Sequence, residues 1–169
     1  NDFGAKIAQA LPDQLVGHGI KPVAQVESEE RRRALHRAFA AWTDRADEQG
    51  RCDFYGLQHA AVRDTIVYGE ALLTLSEAED GTPQLNRLHP DQLDRSFTKV
   101  VSADRYAYQG VEIDARTGEP VAYHIRPAGV VAGAGSAAGG QGFPLFPQRF
   151  PAASVIHMFR PLVPGQVRG

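Results

Sequence analysis

At 169 residues, 43% of them hydrophobic and 22% charged, the chain fits one domain, or one domain with a small satellite, and can bury a core. Its formal net charge of -2 argues against a dedicated nucleic-acid binder, which would show a basic excess, though not against weak contact with DNA. A single cysteine, Cys52, excludes an internal disulfide framework and a cysteine-based zinc site and fits a reducing compartment, and no apolar run approaches the ~20 residues of a membrane span.

No basic-then-apolar leader opens the chain, so nothing supports secretion. Position 1 is not Met, and the first residues read as the interior of an element; the expectation is a fragment, or the ordered part, of a longer polypeptide. Asn1 or Asp2 can cap a first helix with Phe3, Ile7 and Leu11 along one face. Gly17 and Gly19 permit positive φ, and Ile20–Val26 then reads as extended. Ser28 is the expected cap of a second helix, with Glu29 and Glu30 in its first turn, where the helix dipole favours negative charge. Leu35, Phe39, Trp42 and Ala46 share its apolar face, Arg31, Arg32 and Arg33 cover its polar side, and Gly50 ends it. Asp53 starts a third helix with Leu57, Ala61 and Thr65 on a common face, stopped by Gly69.

After Gly69 the pattern changes from helical spacing to short strands. "ALLTL" is apolar throughout; "QLNRLH", "QGVEID" and "PVAYHI" alternate, the last two joined by "ARTGE" as a hairpin. "SEAEDG" (Ser76–Gly81) reads as a solvated loop and "HPDQLD" as a turn opened by Pro90. Residues 129–142, "GVVAGAGSAAGGQG", are too small to build a core and read as a flexible loop. "FPLFPQRFPAASV" returns the chain to a last strand, Val155–Phe159. Residues 1–69 are thus expected to be mainly helical, and 70–128 and 143–169 mainly strands and turns. Helices first and short, mostly antiparallel strands after them make an α+β fold, in one body without internal repeats.

The chemistry-bearing residues do not converge on an active site. His18, His36, His59, His89, His124 and His157 stand far apart, without an HxH, HExxH or HxxxH pairing, so no metal is expected. His124 and His157 lie in apolar strands, where a hydrogen-bonded sheet histidine is the ordinary explanation. Asp91 and Asp94 read as turn caps. Glu70 stands between a helix-stopping glycine and an apolar strand, and a structural ion pair is favoured there over catalysis. Cys52, in "GRCDF", sits at a helix boundary where a depressed pKa is conceivable, although a half-buried structural thiol is commoner. There is no GxSxG elbow, no GxxxxGKS loop and no strand-linked GxGxxG; "GAGSAAGGQG" lacks the lysine and following helix that phosphate binding needs. No catalytic residue, cofactor or metal is assigned. The triplet Arg31–Arg33 follows two glutamates and forms a solvated, locally paired face, or else a contact with a neighbouring subunit or DNA phosphates.

Four stretches, "LVGHGIKP" (Leu15–Pro22), "DFYGLQHAAVRDTIVYGEALLTL" (Asp53–Leu75), "GVEIDARTGEPVAYHI" (Gly110–Ile125) and "VIHMFRPLVPGQVRG" (Val155–Gly169), resemble the lambda-type phage portal protein family in content, order and spacing. The resemblance runs through the whole chain apart from the loop at 129–142. It implies a structural head-tail connector subunit, about twelve of which form a homo-oligomeric ring at one capsid vertex. It also implies partners: the terminase motor, capsid and head-tail joining proteins, and double-stranded DNA passing through the channel without sequence specificity. The expected location is the virion's portal vertex, with host cytoplasm during assembly and no membrane. The family contributes no catalytic residues, so the chain is expected not to be an enzyme. Arg31, Arg32, Arg33, Arg160 and Arg168 are the candidate subunit contacts. Two other readings stand beside it: a small hydrolase domain using scattered His, Asp and Glu, which requires His89, His124 and His157 or carboxylates to converge, and a monomeric adaptor domain.

Overall fold

A computed structural model of the chain describes residues 2–127 and 146–169; the glycine-rich loop expected at 129–142 lies outside the described residues. The fold is α+β, three helices followed by antiparallel strands. It divides into two compact units, Asn1–Gly69 with Leu75–Arg87 and Glu70–Thr74 with Leu88–Gly169.

The first unit is built on α1 (Asp2–Val16), α2 (Glu29–Thr43) and α3 (Phe54–Tyr68). α1 packs on α3 through Pro12 and Val16, with Ala8 half-buried one turn before them. The face expected to be buried, Phe3, Ile7 and Leu11, is instead exposed. Small or ring-closed side chains at 8, 12 and 16 let the two helix axes approach, a geometry that the bulkier stripe cannot offer. Gly17 and Gly19 turn the chain at positive φ as expected, and residues 19–26 belong to no helix or strand; the Gln58 side chain holds both backbone groups of Ile20, at 2.7 and 3.0 Å. Ser28 caps α2 as expected, its hydroxyl accepting from Arg31 N–H at 3.3 Å. The helix ends at Thr43 rather than at Gly50. The Asp47 carboxylate collects the N–H groups of Gln49, Arg51 and Cys52 at 3.1, 2.8 and 3.2 Å, and such side-chain-to-backbone bonds replace helical ones. Asp53 caps α3 by accepting from Gly56 N–H at 2.7 Å, and Gly69 closes it in the left-handed region. The inward face of α3 is Leu57, Ala61 and Asp64, the last held by a forked ion pair with Arg87 at 2.6 Å for each oxygen.

β1 (Glu70–Glu77) turns through Ala78–Thr82 into β2 (Pro83–Leu88), so Ser76 and Glu77 of the expected loop belong to a strand. In the second unit, Glu70–Thr74 of β1 pairs antiparallel with β8 (Val155–Phe159), Leu72 opposite His157. A five-stranded antiparallel sheet runs in the order β3 (Lys99–Ser102), β4 (Arg105–Tyr108), β5 (Val111–Asp114), β6 (Pro120–Ile125) and β7 (Gln148–Pro151). The register of β3 against β4 shifts between Val100 and Ser102. Leu72, Leu93, Val111, Ile113, Tyr123 and Ile125 form the core of this unit, with Phe150, Val155 and Val167 packed on it. β3, β4 and β7 were not among the expected strands; each has four residues and, unlike the equally short β5, is mostly exposed and bears no apolar core run.

Candidate functional site

Glu70 opens β1 and is 1% exposed. Neighbouring Leu72 lies in the apolar core, so a carboxylate here survives only with dedicated partners. Three groups meet it. His157, directed inward from β8, places Nε2 2.9 Å from Oε2. The Arg168 guanidinium forks onto both oxygens, with Nε 3.1 and 3.3 Å away and a closer bond from its terminal nitrogen to Oε1. Gly169 N–H donates to Oε2 at 3.1 Å. Burial alone would raise the pKa of Glu70; His157, Arg168 and Gly169 outweigh it and hold the carboxyl at about 2. Both oxygens are committed, so the group cannot serve as a base. The ion pair expected from its flanking sequence is present.

A second buried carboxylate, Glu112 of β5, went unnoticed in the sequence because it sits within an alternating strand. Val111, Glu112 and Ile113 are in fact all buried. Arg149 of β7 binds it through two N–H groups, at 2.8 and 3.1 Å, and lowers its pKa against burial. His124 of β6 meets it at 3.3 Å while stacking on Phe97 with 3.7 Å between ring centroids. Burial lowers the His124 pKa in spite of Glu112, which favours the neutral imidazole in this contact. The signal that could have exposed this centre is a lone acid among apolar residues in "GVEID".

Most of the other candidates have structural partners, His59 among them, 2.6 Å from Asp13. Asp94 binds Arg126 at 2.6 Å and takes the Ser96 N–H and hydroxyl, capping its turn as expected. Asp91 lies 3.7 Å from Arg95. His89 opens the 3-10 turn Pro90–Gln92, whose Gln92 side chain binds back to its N–H at 2.9 Å. Burial, followed by Asp47 at 3.7 Å, pushes the Cys52 thiol up, the opposite of an activated nucleophile. His157 binds Glu70 and His124 binds Glu112; among the described residues no three His, Cys, Asp or Glu side chains are placed to hold a metal ion.

The arginines singled out in the sequence separate into two groups. Arg31, Arg33 and Arg160 are exposed and Arg32 half-buried. Glu29 pairs with Arg32 and Arg33 at 2.9 Å each, exposed contacts that contribute little to stability. Arg168 is 5% exposed and turned into its own chain. The outward surface of the first unit is apolar along α1, where Phe3 and Leu15 are 72% and 66% exposed. A shallow cleft beside α2, lined by Leu35, Phe39, Trp42 and Pro83, extends that character. The buried carboxylates Glu70, Glu112, Asp64 and Asp94 are paired within the chain, while exposed apolar and arginine side chains share the surface.

A family model described as phage portal protein, lambda family, matches residues 1–169. No curated protein matches the chain. No helix among the described residues is long and apolar enough to cross a membrane.

Proposed function

The chain belongs to the lambda family of phage portal proteins, and from that premise we propose that it is portal-subunit body in a closed ring of about twelve copies at one capsid vertex. Double-stranded DNA enters through the ring, driven by the terminase motor, and later leaves towards the tail. The subunit hydrolyses nothing; it acts by holding a channel open and by offering capsid and head-tail joining proteins a platform. It assembles in the host cytoplasm and remains at the virion's portal vertex.

The observation that carries this reading is the family match across residues 1–169. The physics agrees with it. A channel that lets DNA slide must not grip phosphates, since each neutralised phosphate adds salt-dependent affinity, and a chain of net charge -2 avoids that. A closed ring uses heterologous contacts, one face of a subunit against a different face of the next. The exposed stripe of α1 and the outward Arg31, Arg33 and Arg160 are the contacts we assign to such an interface. Arg168 bears on assembly indirectly, by seating the segment around Arg160.

The deciding measurement is the solution mass of the intact protein, with negative-stain images of the same sample. Rings of about twelve copies around a central hole are expected. A protein that stays monomeric at high concentration overturns the proposal.

A further inference from the structure

Behind β8 the chain runs exposed from Arg160 to Gly165 and then turns inward. Val167 packs on the core, and Arg168 enters a site built from two separate turns. One turn supplies the carbonyls of Pro90 and Leu93, which accept from Arg168 at 3.1 Å each. The other supplies the carbonyl of Gln109, at 3.2 Å. With the Glu70 fork, all five guanidinium N–H groups have acceptors.

The backbone is arranged for this. Gln109 is held at φ 49°, the left-handed region that residues other than glycine rarely enter. Gly110 follows at φ 87°, and a Cβ there would lie 2.9 Å from the Asp94 carbonyl oxygen, so only glycine lets the two turns close together. Strained backbone and close approach at one site indicate a geometry fixed by its neighbours.

We propose that Glu70 and the carbonyls of Pro90, Leu93 and Gln109 form a socket selective for a guanidinium ion, and that Arg168 is the plug that latches the segment Arg160–Gly169 onto the second unit. The inference rests on the protomer's geometry and does not depend on the portal reading. The acceptors are spread around a plane, matching a flat five-donor cation; an ammonium has three donors at one point and would leave carbonyls unpaired. The Gln166 side chain braces the latch, accepting from Leu162 N–H at 2.7 Å and donating to the Arg168 carbonyl at 2.6 Å. Releasing Arg168 therefore frees the whole segment.

The test is hydrogen exchange of the peptide covering Arg160–Gly169 in the intact protein, compared with Arg168→Ala and Arg168→Lys. Exchange at Gly169 and Leu162 should accelerate about a hundredfold or more in both variants, as loss of one member of a buried pair implies. Guanidinium chloride, kept well below denaturing concentrations, should refill the socket of Arg168→Ala and restore protection of its turns, read at the Asp94 and Gly110 N–H groups, while the untethered segment stays fast; equal ammonium chloride or urea should not. Unchanged exchange in Arg168→Ala, or equal rescue by ammonium, overturns the socket. Should Arg168→Ala fail to fold, recovery of folded protein on refolding with dilute guanidinium is the readout, and no recovery refutes it.

Discussion

α1 in the first unit leaves Ile7, Leu11 and Leu15 facing solvent, whereas the second unit draws Glu70, Glu112 and Arg168 almost completely out of it. Each is the costly choice for its residue type: exposed apolar area forgoes about 25 cal/mol per Å², and a buried charge loses its hydration. The second pairs its buried charges within itself, Glu70 with Arg168 and Glu112 with Arg149, while Arg160 stays at its surface. The first has its own buried pair, Asp64 with Arg87, yet leaves an apolar helix face exposed along α1.

The largest effect expected is at Glu70. Glu70→Gln removes the charge that Arg168 was buried against, and should cost about 3–5 kcal/mol in urea unfolding of the second unit. A loss below 1 kcal/mol would mean that solvent reaches the pair and that the units differ less than their burial suggests. The pH dependence sharpens this. The folded carboxyl titrates near 2 against an ordinary 4.5, so its contribution is fully present above 4.5 and declines as pH falls towards 2. The gap between wild type and Glu70→Gln should therefore narrow across that window; a constant gap contradicts the assignment.

Smaller in the protomer and larger in the assembly is the effect of Leu11→Ser with Leu15→Ser. Both side chains are exposed, so protomer stability should move by no more than about 1 kcal/mol for the two together, while ring yield by size-exclusion chromatography falls. An unchanged yield removes α1 from the interface. The smallest is Arg33→Ala, which cuts one exposed ion pair with Glu29 and should cost about 0.5 kcal/mol or less in thermal unfolding.

Features written in neighbouring residues were legible beforehand. Ser28, Asp53 and Gly69 act as caps and stop because capping is decided within one turn of chain, and Val155–Phe159 is a strand because its apolar run is bounded by turns. Glu70 was legible as an ion pair, since an acid beside "ALLTL" needs a partner. The identity of that partner, 98 residues away, was not. Nor was the direction of α1, because the stripe of larger side chains is the obvious inner face until the packing value of Ala8 and Pro12 is seen. The Asp47 turn that ends α2 early was hidden for a different reason: Ala46 continues the helical apolar spacing yet is buried from outside the helix.

β3 carries a further consequence. It is the end strand of its sheet among the described residues, with all four side chains exposed and Val100 78% so. A flat, apolar border of that kind would recruit strands from other molecules indefinitely, into aggregates of no fixed size. Its four-residue length, Lys99 at one end and the slipped register after Val100 leave too little straight backbone to template another strand. That border therefore offers little purchase to a strand from another molecule.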